Sequence, residues 1–141
     1  MSLSSQANNL LRSASIVLVA FIGVSACFGG GLLIVDPSGR LLGLSTSMLE
    51  TTPFESYLIP GIVLLTVIGV GSFLVMATII RSNPIFPVLV TADGAVLTTW
   101  VIVQIAMIEV VLPQQLIIGF IGLLLVGVGV LQWNHRSVRK K

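Results

Sequence analysis

Charge is scarce in this sequence. Asp, Glu, Lys and Arg make up 9% of its 141 residues, where an ordinary soluble domain carries about 25%. So few charges cannot clothe a water-facing surface, and this composition belongs to a membrane protein. A single cysteine excludes an intramolecular disulfide framework and a thiolate metal cluster. The single histidine, His135, stands among basic residues near the C-terminus, where a solvated side chain is expected rather than a ligand. There is no H-E-x-x-H, no paired-aspartate protease motif and no G-x-x-x-x-G-K-[ST]. Ser72 has no base visible in the sequence, and Cys27 has no partner for thiol redox work. Nothing marks an enzyme, and no cofactor or metal is expected.

What the chain has instead is apolar length. Hydrophobic residues make up 55% of it, and the mean hydropathy is +1.10. Residues 13–35, 57–80, 86–108 and 114–133 form four apolar runs, of which only the third holds a charged residue. Each is about the 20 residues that cross a bilayer core as a helix. The expected fold is all-α: one membrane domain built as an integral four-helix bundle, with a short interfacial segment between the first two spans.

The connections carry their own signals. Residues 1–11 are polar and predict no more than a helical lead-in. Asp36-Pro37-Ser38-Gly39 has the residue order of a type I turn. The segment 40–56 is too apolar for a solvated loop, with Leu41, Leu42, Leu44, Met48, Leu49 and Phe54, and should lie over the bundle mouth or in the headgroup layer. Within it Ser47 to Glu50 has capping-box spacing. Thr52-Pro53-Phe54-Glu55 reads as a helix start, and Pro60-Gly61 inside the second span predicts a kink. Asn83 should cap the third helix with Pro84 at its start, and Pro113 should open the fourth. Gln132 and Trp133 should mark the far interface, before a basic tail at 134–141.

Small residues are plentiful, with 14 glycines. Gly23, Cys27 and Gly31 recur every fourth residue, as do Ser25/Gly29 and Ala26/Gly30, and such ridges let helices approach closely in lipid. Gly69, Gly71 and Ser72 make a second such surface, and Gly119, Gly122 and Gly129 lie near one face of the fourth span. Val24-Ser25-Ala26-Cys27 has a lipobox-like order, but the apolar run continues through Val35, which favours an intact span.

Basic residues favour the cytoplasmic side. Arg12, Arg81 and the tail fall on one side, and the acidic 36–56 stretch with Glu109 falls on the other. Both termini are therefore expected in the cytoplasm. The net charge of +2 belongs to the tail, so anionic lipid rather than nucleic acid is the expected electrostatic partner.

The polar residues of the third span point to a candidate site. Asp93, Leu97, Trp100, Gln104 and Met107 share one helical face, with Asp93 and Gln104 about 16 Å apart along the axis. A carboxylate facing acyl chains is costly, so Asp93 is expected to face protein and to donate a hydrogen bond across the bundle as a protonated acid. Asp93 and Gln104 are candidate ligand-binding residues, with Trp100 as a flat wall for a lipophilic molecule. The alternative gives them a purely structural role as interhelical hydrogen bonds. Binding of a partner membrane protein or assembly as a homo-oligomer, a small proton-linked transporter or channel subunit using Asp93, and an accessory subunit of a larger membrane complex are the other readings.

The Asp36–Gly39 turn, Pro53-Phe54, Pro60-Gly61, and Trp100 with Gln104 together resemble small four-span prokaryotic integral membrane proteins, a mostly uncharacterised class. That resemblance implies an inner-membrane location and supplies no activity or site residue.

Overall fold

A computed structural model describes residues 3–108 and 111–138. Four helices account for most of them: α1 (Leu3–Val35), α2 (Leu58–Ile80), α3 (Phe86–Met107) and α4 (Pro113–Val138). All four are long and apolar enough to cross a membrane, and no strand occurs among the described residues. The chain is a membrane protein with an all-helical, four-span architecture. Glu109 and residues 139–141 lie outside the described residues.

Packing divides the bundle into two tight hairpins, α1–α2 and α3–α4, set antiparallel in a ring. Within each hairpin the backbones nearly touch. A Cβ built on Gly30 would fall 2.7 Å from the carbonyl oxygen of Gly61, and one on Gly94 would fall 2.6 Å from that of Gly122. No larger residue fits either place without moving a helix. The expected ridges are therefore partly used: Gly23 meets the Phe73 ring and Cys27 meets Gly69, while Gly31 and Gly71 face little or nothing. Gly119, Gly122 and Gly129 all meet α3.

Between the hairpins a buried core joins all four helices, with Val19, Ile68, Ile79, Phe86, Val90, Leu97 and Leu125 at its centre. At one end arginines hold the turns. Arg12 Nη2 donates to the carbonyls of Ile79 (2.9 Å) and Ile80 (3.1 Å) at the end of α2, where the Ile79 carbonyl also accepts from Ser82 N–H (3.1 Å). Arg136 Nη1 donates to the Pro84 carbonyl (3.0 Å), with its guanidinium 4.3 Å from the Phe86 ring centroid. This arginine end and the end carrying 36–57 are opposite poles of the bundle.

Several local expectations need correction. The Thr52–Glu55 signal does not start a helix: Thr52 Oγ1 donates to the Leu49 carbonyl (2.9 Å) and accepts from Phe54 N–H (3.2 Å), fixing a turn instead. The Tyr57 N–H is held by the Pro37 carbonyl (2.9 Å), and α2 starts one residue later. Pro60 is thus in the first turn, where a missing N–H costs no intrahelical bond. The irregularity of α2 lies deeper, as a π-helical stretch over Leu64–Val70. Asn83 accepts from Ile85 N–H (3.1 Å) and shapes the turn, but Ile85 caps α3 and Pro87 enters its first turn. Pro113 does open α4. That helix continues to Val138, so His135 and Arg136 are helical rather than part of a tail. Gln132 is fully buried rather than interfacial; its Nε2 donates to Ser15 Oγ (3.0 Å), and Trp133 beside it is half exposed.

Candidate functional site

The segment between α1 and α2 folds over the bundle as a cap. Asp36 makes the turn, with the Gly39 N–H on its carbonyl (3.0 Å), and Gly39 takes φ 79°, a conformation open to glycine at little cost. Two short 3₁₀ turns follow, Arg40–Leu42 and Thr46–Leu49. The second is capped by Ser45, two residues before the Ser47 expected to cap it. Tyr57 ties the cap together: its hydroxyl donates to the Ser45 carbonyl (2.9 Å), and its ring is buried with Leu33 and Leu49. Burial pushes the Tyr57 phenol above its usual range, so it remains a donor. Thr51 Oγ1 donates to the Met107 carbonyl (2.8 Å), fastening the cap to the end of α3.

Beneath the cap the two hairpins stand apart, and a cavity of about 320 Å³ fills the gap. The cap contributes Leu44, Phe54 and Tyr57, while α1 and α2 contribute Ala26, Pro60 and Leu64. From α3 come Leu97, Trp100, Gln104 and Met107, and from α4 Gln115 and Ile118. The lining is overwhelmingly apolar. Phe21 and Ser25 on α1 and Gln114 on α4 are exposed while lining it, so the space is open there.

Trp100 and Gln104 thus share one cavity wall, one turn apart. Asp93 does not line it. Asp93 is buried, 9% exposed, one turn below Leu97, which lines the cavity together with Ile22 and Ile68. There the Ser72 hydroxyl of α2 lies 3.1 Å from both Oδ1 and Oδ2 and donates to the carboxylate. A hydrogen bond across the bundle is present, but in the reverse of the expected direction: the Ser72 hydroxyl donates and Asp93 accepts. Trp100 and Gln104 form one place, and Asp93 with Ser72 forms another beneath it.

No protein family, curated protein or solved structure matches this chain. Its chemistry must be read from the residues themselves.

Sequence reasoning missed two polar residues here. Ser72 sits on a small-residue surface and shows its role only when α3 is placed opposite. Gln115 lies two residues after Pro113, where it reads as part of a turn. In the structure it is 5% exposed, and its Oε1 accepts from Leu112 N–H (3.0 Å) at the start of α4. Its sequence signal was present: a polar residue in the first helical turn can reach back to an unpaired N–H.

Proposed function

We propose that this protein is a non-enzymatic membrane protein that holds a lipophilic molecule between its two hairpins. The observation that carries the proposal is the apolar cavity under the cap, walled by Trp100 and offering the Gln104 amide. Its size falls at the small end of the about 300 to 1,000 Å³ typical of small-molecule sites. A mostly apolar wall with few hydrogen-bonding groups favours a molecule drawn from the bilayer over one drawn from water. The setting proposed is a prokaryotic inner membrane, with the arginine end at the cytoplasmic face.

The test is native mass spectrometry of the protein released from mild detergent, with bound lipids and proteins identified. The expected result is a retained small molecule that disappears in Gly29→Phe. A Cβ at Gly29 makes only an ordinary 3.6 Å contact with Leu64, so the added ring has room to enter the cavity. Equal loading of both proteins, or no bound molecule in either, defeats the proposal. A retained protein partner instead would favour an accessory-subunit role.

One observation supports a second reading. The buried Ser72–Asp93 pair is the kind of intramembrane carboxylate that proton-linked transporters use. Under that reading Asp93→Asn abolishes pH-driven flux in reconstituted vesicles, and unchanged flux removes it.

A further inference from the structure

The hydrogen-bonding groups on the cavity wall are unequal, and their inequality specifies what can fill it. Two hydroxyls are already engaged: Thr52 donates to the Leu49 carbonyl and Tyr57 to the Ser45 carbonyl. The Gln104 side chain has no hydrogen-bond partner among the described residues. Gln115 is half used. Leu112 N–H can only donate, so the oxygen of the Gln115 amide must face it, and the amide NH₂ is left over. That leftover group is a donor on a buried side chain in the cavity wall. Gln104 offers both its oxygen and its NH₂, Gln115 has its oxygen engaged and its NH₂ open, and Ser25 and Gln114 stand at the exposed side, so on the inner wall open amide donors (two) outnumber fully open amide acceptors (one).

Charge narrows the choice further. None of the described residues lining the cavity is Asp, Glu, Lys, Arg or His. The Asp93 carboxylate lies below, occupied by Ser72. A carboxylate, phosphate or ammonium group drawn into this space would lose its water and find no counter-charge. Neutral oxygen acceptors meet no such obstacle.

We infer that the occupant is an uncharged lipid carrying carbonyl oxygens, which accept from the amides of Gln104 and Gln115 while its hydrocarbon fills the apolar remainder. This rests on the cavity being a binding site. Two membrane sources share the chemistry: the ester carbonyls of a neutral glyceride and the ring carbonyls of a prenylated quinone. The flat Trp100 wall suits the planar quinone ring, and the test separates the two.

Trp100 is itself the reporter. The chain has two tryptophans, and Trp133 is half exposed on α4 outside the cavity, so Trp133→Phe leaves one fluorophore at the wall. The full chain is placed in phosphatidylcholine vesicles and titrated with four probes: a brominated diacylglycerol, a short-tailed prenyl benzoquinone, a brominated fatty acid at about pH 8 where it is ionised, and a bromoalkane. The diacylglycerol or the quinone should quench Trp100 saturably at about tenfold lower concentration than the fatty acid or the alkane. Gln104→Leu should erase that advantage and leave alkane quenching unchanged. Whichever carbonyl probe binds names the source. If the alkane binds as well as either, or the ionised fatty acid binds best, the inferred class is wrong although the cavity still binds lipophiles. If no probe quenches Trp100 beyond the level set by the surrounding bilayer, the binding site itself is refuted.

Discussion

The Ser72 hydroxyl bisects the Asp93 carboxylate, 3.1 Å from each oxygen, at a point where α2 and α3 meet inside the bundle. Ser72 is fully buried, and no other side chain among the described residues hydrogen-bonds Asp93. Removing the hydroxyl leaves a buried acid with nothing to satisfy it, and such losses cost about 1 to 3 kcal/mol. Ser72→Ala should therefore lower stability by that amount in detergent unfolding. Asp93→Asn keeps an oxygen for the hydroxyl and should stay within about 1 kcal/mol of the parent. The reverse order, a neutral Ser72→Ala and a damaging Asp93→Asn, would mean that the carboxylate is held by something other than Ser72.

The α3–α4 hairpin depends on absent side chains more than on present ones. A Cβ on Gly94 would press on backbone of α4 at 2.6 to 2.8 Å, and backbone cannot swing aside as a flexible side chain can. Gly94→Ala should cost about 1 to 3 kcal/mol, the usual penalty for overpacking. Gly127 lies on the same hairpin with nothing within 4 Å of its would-be Cβ. There alanine should be neutral or raise stability by up to about 1 kcal/mol through helix propensity. Thermal unfolding of the two variants side by side checks this, and equal effects would contradict the close approach.

The spans were legible because lipid demands apolar length, and the runs at 57–80 and 86–108 end within a residue of the helices. The first and last runs understate theirs, since α1 begins at Leu3 and α4 reaches Val138. Apolarity measures the bilayer, not the helix, and the extra turns are amphiphilic positions from which Arg12 reaches the end of α2 and Arg136 reaches Phe86 and the turn before α3. Trp100 and Gln104 were found because they share a face with Leu97 and Met107. The separation of Asp93 from them was not legible. It arises because Ile22 of α1 and Ile68 of α2 close in around Leu97, and no periodicity within α3 encodes its neighbours. Gln132 misled for a similar reason: beside Trp133 it looks interfacial, yet its partner Ser15 lies over a hundred residues earlier.

Arg136 acts at once as a hydrogen-bond donor to the turn and as a cation over Phe86, so lysine should not replace it. A point charge on a flexible stem can reach the Pro84 carbonyl or the ring, but not both in the fixed geometry of a guanidinium. Both Arg136→Lys and Arg136→Ala should lower stability by about 1 kcal/mol, with alanine the worse. The matching observable is hydrogen exchange near the start of α3, which should speed up in both. Full protection in the lysine variant would show that charge alone suffices.

The cap should respond to acid through Asp36. Its carboxyl is held below the usual range mainly by the Ser38 hydroxyl at 2.6 Å, helped by the backbone N–H groups of Ser38 and Leu41. A depressed folded value favours the folded cap at any pH above the ordinary aspartate range, and that contribution is lost as pH falls through the folded value. The cap should therefore be unchanged from neutral pH down to about pH 4 and loosen only below it. Loosening frees Pro37 from Tyr57 N–H and opens segment 36–57 to proteases, so limited proteolysis, with a neutral protease at neutral pH and an acid-active one in acid, each referred to the parent at the same pH, reads it directly. Asp36→Asn has no charge to lose: its cap should be cleaved several-fold faster at neutral pH and show no further change in acid. A variant that still loosened over the same acidic range would place the titrating group elsewhere.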